Sequence, residues 1–183
     1  GLSPWMTTLE LWQYKTGVKQ QRDLSDNASV QKGVALEPVI RDFFSAEHPE
    51  YGVEHHPYDL LFQSERPWLF ATLDGELRDI NGKNGVLEIK TATPNSAQKW
   101  NEWKDGVPQH YAIQCLHQLL ATGWDFVILK AALFSTKTDD VTIKQYEFYR
   151  EDHEEDLAYL LQQEERFYRH IVTGTLPHTT ITF

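Results

Sequence analysis

The feature that most constrains this chain is a pair of short apolar-flanked runs joined by a segment rich in glycine and asparagine. The runs cover 73–77 (LDGEL) and 86–90 (VLEIK), and the eight residues between them include two glycines and two asparagines. Glycine and asparagine in such a segment are typical of the turns in β-hairpins. The sequence therefore predicts two antiparallel strands here.

Three charged side chains come together on this predicted hairpin. Alternate residues of a strand share a face, so Glu88 and Lys90 point the same way, about 6.5 Å apart, while Leu87 and Ile89 point into the core. Asp74 joins them from the neighbouring strand. Two carboxylates and an ammonium suit a hard divalent cation such as Mg²⁺, with a lysine that helps an attacking hydroxide. This pattern indicates nuclease-like chemistry.

An acid and a lysine two residues apart on a strand commonly form only a solvated ion pair. Here apolar residues surround Glu88, which favours an internal strand. A charge pair is costly to bury, so its presence in such a strand needs a functional reason. Asp74, at the end of the preceding apolar strand, supplies that reason. We therefore interpret these residues as a site.

The chain has the size and composition of a single domain. Its 183 residues are 40% hydrophobic and 13% aromatic, and no stretch is long enough to span a membrane. The single Cys115 excludes an internal disulfide and a four-cysteine metal site, which favours the cytoplasm. Since the chain begins without methionine or a signal sequence, we expect one domain over 1–183 that lacks a short N-terminal segment.

The net charge of −10 argues against a generic nucleic-acid-binding surface, which is usually basic. Residues 150–169 alone hold seven carboxylates against three arginines. This helix can face outward, and site carboxylates add to the negative charge until a metal binds. Acidity therefore weakens a nuclease interpretation without removing it.

Apolar periodicity predicts four helices and five strands. The helices are expected at about 7–16, 28–47, 109–122 and 152–172, and the strands at about 51–63, 68–77, 86–93, 124–134 and 141–149. This order is typical of a mixed α/β domain of the α+β type.

Several polar and aromatic residues on these elements are further candidates. The helix at 109–122 places four residues on one face, which is either a site wall or an ordinary solvated face: Tyr111, Gln114, His117 and Gln118. His55 and His56 are neighbours on a predicted strand and so face opposite sides, which makes joint metal chelation unfavourable. Trp100 and Trp103 lie beside lysines and could stack on bases, but we favour packing on the core.

Five motifs in the same order resemble the YqaJ-like viral recombinase nucleases, which belong with lambda exonuclease in the PD-(D/E)XK superfamily. They are Gly1-Leu2-Ser3-Pro4-Trp5, Gly33 with Leu36-Glu37-Pro38, Leu73-Asp74-Gly75, Leu87-Glu88-Ile89-Lys90, and Tyr111 with Gln114. The resemblance implies a restriction-endonuclease-like core, with a central mixed sheet of about five strands flanked by helices.

The resemblance also implies roles for the motif residues. Asp74, Glu88, the carbonyl of Ile89 and Glu37 would hold Mg²⁺, directly or through water, and Mn²⁺ would substitute. Lys90 would activate the nucleophilic water. The resemblance further implies that Tyr111 and Gln114 line the same site, as catalytic residues together with the acidic ones. Gln118, displaced by one turn from the matching position, is expected to tolerate alanine better than Gln114.

The implied activity is digestion of one strand of linear duplex DNA, 5′ to 3′, for recombination by single-strand annealing. The implied partners are double-stranded DNA ends and an annealing protein, in the cytoplasm of a bacterium or phage-infected host. Related exonucleases form homotrimeric rings, and such a ring would keep the acidic helix away from DNA.

This sequence departs from the family pattern in two places. The family usually has a segment before Gly1 that contributes to 5′-phosphate binding, and Leu116 stands where members often have a second glutamine. Two alternatives therefore stay open. One is another PD-(D/E)XK DNA endonuclease or repair nuclease, and the other is a catalytically silent module that binds DNA ends or a partner.

Overall fold

The computed structural model describes residues 5–177. The helices are α1 (Thr8–Lys15), α2 (Ala28–Glu47), α3 (Ala97–Asn101), α4 (Gln109–Thr122) and α5 (Glu154–Thr173). The strands are β1 (Gly52–Glu54), β2 (Leu61–Phe62), β3 (Phe70–Ala71), β4 (Gly75–Arg78), β5 (Asn84–Ala92), β6 (Phe126–Phe134) and β7 (Val141–Tyr149). Gly1 to Pro4 of the first motif lie outside the described residues.

Five strands form one mixed sheet in the order β1-β4-β5-β6-β7. Only β5 and β6 run parallel, and the other neighbours are antiparallel. A parallel pair needs a long crossover, which here contains α3 and α4. The expected mixed sheet of about five strands flanked by helices is confirmed, as is the turn between β4 and β5.

Both faces of this sheet are covered. On one face α2 packs through Ile40 and Phe44 against Leu77, Leu87, Ile89 and Ile128. On the other face α4 and α5 pack through Cys115, Leu116, Leu119, Leu120 and Leu157 against Val86, Val127, Leu129, Ala131 and Leu133. Alternation along β5 turns Leu87 and Ile89 toward α2 and leaves Glu88 on the α4 side. This alternation determines which helix meets the charged residues.

Two of the expected strands are each split in the structure. The strand expected over 51–63 is wrong, because Pro57 lacks an amide proton and Tyr58 has a φ of 72°, which no extended strand accommodates. β1 joins the large sheet, whereas β2 pairs with β3 in a separate two-stranded sheet. The strand expected over 68–77 is also wrong, because the chain changes sheets between Ala71 and Gly75.

The helices agree more closely with the prediction. Thr7 caps α1 in a reciprocal capping box with Glu10, as its sequence pattern predicts. The structure adds the short α3, which Ser96 caps, in the polar segment after β5. None of the helices within residues 5–177 is long and apolar enough to cross a membrane.

Candidate active site

Glu88 lies at the centre of the candidate site, on β5, with only 1% of its surface exposed. Three donors surround its carboxylate. Gln114 Nε2 donates to Oε1 at 2.8 Å, Gln118 Nε2 donates to Oε2 at 2.5 Å, and the ammonium of Lys90 contacts Oε1. A buried carboxylate is costly without such donors. Both glutamines come from α4, so the crossover helix holds the central acid.

The same burial changes the proton affinity of the charged pair. Burial raises the pKa of the Glu88 carboxyl to about 7; the charge of Lys90 opposes this rise, and the charge of Asp74 adds to it. Burial lowers the pKa of Lys90, but the negative charge of Glu88 outweighs this and leaves it raised. Lys90 is therefore protonated near neutral pH, where Glu88 changes its charge.

Asp74 immediately precedes β4 and lies beside Glu88. Its Oδ2 accepts a hydrogen bond of 2.8 Å from the backbone amide of Ile89. The adjacent Gly75 pairs with Leu87, and a Cβ at Gly75 would come within 3.2 Å of the Leu87 Cβ. Glycine at this position therefore allows β4 to approach β5 closely, which brings the two carboxylates to one end of the hairpin.

Glu37 reaches the site from α2 on the other side of the sheet. Arg41, one turn later, donates to Glu37 Oε1 at 2.5 Å and, through Nε, to the carbonyl of Asp74 at 2.6 Å. Burial and then the charge of Asp74 raise the pKa of the Glu37 carboxyl, against the opposing effect of Arg41. Through these two hydrogen bonds, Arg41 links the Glu37 carboxylate of α2 to the chain segment that carries Asp74.

Arg41 itself was not singled out from the sequence. A basic residue four positions after a candidate acid on a helix is a common surface ion pair, so the only available signal was weak. The structure gives Arg41 a second partner, the Asp74 carbonyl, across 33 positions of sequence.

His55 is a second residue near Glu37 that the sequence does not reveal, because the sequence presents it only as a possible metal-chelating partner of His56. His55 directly follows β1, whose last residue, Glu54, pairs with Glu76 of β4. His55 Nδ1 is buried and has no hydrogen-bond partner among the described residues, and the imidazole charge opposes the raised pKa of Glu37. His56 instead contacts Glu54 at 3.2 Å. The two histidines therefore do not act as a pair.

The polar face of α4 lies against the site as the motif interpretation expected. Lys90 Nζ lies 5.5 Å from the centroid of the Tyr111 ring. Gln118, which the motif interpretation expects to tolerate alanine better than Gln114, contacts Glu88 as closely as Gln114 does. Positions 114 and 118 are one turn apart, and a residue on β5 meets both because the side chains of a helix at i and i+4 lie one above the other.

The family of this chain follows from a sequence match that includes all five motifs of the sequence analysis. Residues 1–125 match the family described as the YqaJ-like viral recombinase domain. The chain belongs to this family. A comparison with curated protein sequences found no match.

The YqaJ-family chain also resembles solved nuclease structures. The crystal structure of LHK-Exo, an alkaline exonuclease from Laribacter hongkongensis, matches with a TM-score of 0.56 and 19% identity, over 94% of this chain and 88% of that one. LHK-Exo in complex with dAMP matches with a TM-score of 0.56 and 20% identity, over 94% and 89% of the two chains. At this identity the likeness shows a shared fold.

Trp5, the described residue of the first YqaJ motif, lies close to α4. Its ring meets that of His110 edge-on, with centroids 6.4 Å apart. His110 in turn contacts the ring of Tyr111, with centroids 4.0 Å apart. The first and last motifs of the family match are thereby neighbours in the fold.

The two tryptophans after β5 differ in their surroundings. Trp103 is 3% exposed and its carbonyl accepts a hydrogen bond of 2.5 Å from the Tyr146 hydroxyl. Its ring packs on that of Tyr111, with centroids 5.4 Å apart. Packing on the core is confirmed for Trp103. Trp100 is half-buried and lines a cavity.

The oxygen donors of this YqaJ-family site suit Mg²⁺ chemically, but they are too few to enclose the ion on their own. Within residues 5–177, no group of three or more His, Cys, Asp or Glu side chains is arranged to hold a metal ion. Asp74 and Glu88 supply the hard oxygen donors that Mg²⁺ prefers, and their negative charges repel each other. Mg²⁺ typically uses one or two carboxylates and keeps several waters, so this pair fits the ion.

Proposed function

We propose that this chain is a magnesium-dependent exodeoxyribonuclease that acts as a single domain and digests one strand of linear duplex DNA, 5′ to 3′. The observation that carries the proposal is the buried Glu88 beside Asp74, held by Lys90 and two glutamines of α4. The family match and the likeness to an alkaline exonuclease, which also has a structure with dAMP, support it.

Asp74 and Glu88 would hold the ion together with the carbonyl of Ile89, and Glu37 would hold a bound water. When bound, Mg²⁺ supplies charge neutralisation for the phosphate and lowers the pKa of water. Mn²⁺ prefers the same oxygen donors and would substitute. The Ile89 amide already fixes the Asp74 carboxylate at 2.8 Å, which orients this donor before any ligand arrives.

Lys90 and the α4 glutamines have different tasks in this proposal. The Lys90 ammonium would offset negative charge on the attacking oxygen as the bond from phosphorus to the leaving oxygen breaks. Gln114 and Gln118 would keep the Glu88 carboxylate in one orientation through one hydrogen bond to each oxygen. Arg41 would do the same for Glu37.

Digestion of a 5′-phosphorylated linear duplex, compared with the same DNA closed into a circle, tests the proposal. We expect Mg²⁺-dependent release of mononucleotides from the 5′ ends of the linear DNA and no change in the circle. The Asp74→Asn variant serves as the control for contaminating nuclease. Cleavage of the circle would favour the endonuclease alternative, and binding of ends without digestion would favour the silent module.

The net charge of −10 is compatible with a DNA-degrading enzyme if only a restricted surface meets DNA. We propose a homotrimeric ring with the acidic α5 outside, and a single-strand annealing protein as the recipient of the product strand. Light scattering would test the ring, with an expected mass three times the 21.3 kDa of one chain. A monomer with full processive activity would contradict it.

A further inference from the structure

We propose that a cavity beside α3 binds one nucleotide of the DNA strand near the scissile phosphate, with the phosphate held by Lys104 and Lys144 and the base against Trp100. This inference rests on the proposed nuclease function and adds a substrate subsite to it. The subsite lies outside the motifs that carry the family resemblance.

The cavity has a volume of about 240 Å³ and lies between α3 and the ends of β6 and β7. Its apolar wall comes from Trp100, Trp103 and Leu133, and its polar rim includes Lys104, Thr142 and Lys144. Pockets for complete drug-sized ligands start at about 300 Å³. The cavity therefore has room for one base, with its phosphate at the lysine rim, rather than for a large cofactor.

The sheet register places this cavity close to the candidate active site. Lys90 pairs with Ala131 on β6, and Ala131 pairs with Lys144 on β7. Directly paired residues share a face, and neighbouring strands are about 4.8 Å apart, so the backbones of the two lysines are roughly 10 Å apart on one face. Because phosphates of B-DNA are spaced about 3.4 Å along the helix axis, a strand bound at Lys90 reaches Lys144 within about three nucleotides.

A layer of aromatic rings connects the cavity to the candidate active site. The Trp103 ring packs between Tyr111 and Tyr146, with centroid distances of 5.4 and 6.2 Å, and Tyr111 is the ring beneath Lys90. Trp103 is buried in the core cluster, so the floor of the cavity belongs to the same rigid layer as the site. The spacing between the subsite and the scissile position is thereby set by the core.

The charge of the rim indicates the ligand. Lys104 and Lys144 form no ion pair with another residue of the part described, whereas the nearby Lys99 pairs with Glu102 at 2.9 Å. Two uncompensated ammonium groups on an apolar cavity suit an anion with a flat apolar body. A nucleotide has both parts, since phosphate pairs with lysine and every base has a face that stacks on an aromatic ring.

The test is binding of a fluorescein-labelled single strand and of a 5′-phosphorylated duplex, measured by anisotropy at several salt concentrations without Mg²⁺. We expect Lys104→Gln/Lys144→Gln to weaken binding about tenfold and to reduce the slope of log K against log salt by about one, as for one lost phosphate contact. Trp100→Ala should weaken single-strand binding by about tenfold, through lost stacking.

A control variant of equal charge change separates this subsite from general electrostatics. Arg78→Gln/Lys83→Gln alters the turn at the opposite end of β5 and should leave both affinity and slope near wild type. If the control and the Lys104/Lys144 variant behave alike, the subsite is wrong. If only duplex binding responds, the cavity meets paired DNA, whose bases cannot stack on Trp100, and the assignment of a base to Trp100 is overturned.

The same variants distinguish this proposal from the proposed activity. A wild-type protein that binds a single strand through these residues but digests no DNA leaves the subsite standing and removes the nuclease function. A wild-type protein that digests linear duplex, with Lys104→Gln/Lys144→Gln equal to wild type in KM and kcat, removes the subsite alone. If both the subsite and the nuclease function are right, the KM of Lys104→Gln/Lys144→Gln for linear duplex should rise about tenfold, with kcat near wild type.

Discussion

Gln118 donates a hydrogen bond to the buried carboxylate of Glu88, with 2.5 Å between Nε2 and Oε2. Gln114, one turn earlier on α4, occupies the other carboxylate oxygen at 2.8 Å. Two amides of one helix therefore clamp the central acid of the candidate site. Gln118 is 2% exposed, so water does not replace it readily if it is removed.

Both Gln114→Ala and Gln118→Ala should reduce cleavage tenfold to a hundredfold. A lost hydrogen bond to a charged group is worth about 1.5–3 kcal/mol, and each 1.4 kcal/mol corresponds to tenfold in rate. Single-turnover kinetics with Mg²⁺ would measure this. Gln109→Ala, an exposed glutamine at the start of the same helix, is the matched control and should cleave at the wild-type rate. Near-wild-type rates for both variants would remove α4 from the site.

Asp74→Asn should abolish cleavage while the fold stays intact. The asparagine oxygen can still accept from the Ile89 amide, so the substitution removes a charge and a metal ligand but keeps the backbone contact. Circular dichroism melting and titration with Mn²⁺ would show an unchanged fold and lost metal binding. Cleavage near the wild-type rate would contradict the assignment of Asp74 as a ligand.

Glu88→Ala should also abolish cleavage, but at a large cost in stability. It leaves the Lys90 ammonium, whose side chain is 19% exposed, without its carboxylate. Removal of one partner of a buried ion pair typically costs about 3–5 kcal/mol. Urea denaturation of this variant beside Asp74→Asn would measure the difference in the free energy of unfolding. Equal stability of the two variants would show that the pair with Lys90 is unimportant to the fold.

Lys90→Met should lose turnover and retain metal binding. The methionine replaces the apolar part of the lysine chain but carries no charge, and the lysine is not itself a metal ligand. Because the Lys90 charge opposes the raised pKa of Glu88, the titration is made well above pH 7, where calorimetry with Mn²⁺ should give an affinity close to that of wild type. If metal binding and turnover are lost together, Lys90 acts chiefly by holding Glu88 in place.

The raised pKa of Glu88, about 7, predicts a pH dependence of both metal binding and stability. Below this pKa the carboxyl is protonated and a poor ligand, so affinity for Mn²⁺ should fall as the pH falls through about 7, and binding near pH 7 should release a proton. Because the pKa is higher in the folded than in the unfolded chain, the contribution of Glu88 to stability is present at low pH and is lost as the pH rises through about 7.

Calorimetry in buffers of different ionisation enthalpy would detect the released proton. Melting temperatures at pH 6 and pH 8, compared with those of Glu88→Gln, would test the effect on stability. A binding enthalpy that is independent of the buffer at pH 7 would contradict the raised pKa.

The sequence by itself determined the local parts of this site. The turn chemistry at 78–85 specified the hairpin of β4 and β5, and the period of two along β5 placed Glu88 and Lys90 on one face and Leu87 and Ile89 on the other. The apolar run of β6 on either side of Lys130 is typical of a strand that is buried on both faces, as β6 is in the structure. These features depend on neighbouring residues alone, so periodicity and turn residues reveal them.

The tertiary structure alone decided which long-range partners meet. Gln118 reaches Glu88 because the parallel pairing of β5 and β6 requires a crossover that lays α4 over that face. Arg41 reaches the Asp74 carbonyl because α2 covers the opposite face of the same sheet. A sequence pattern gives the face of each element but not the rotation and position of its neighbour, which follow from the packing of the whole core.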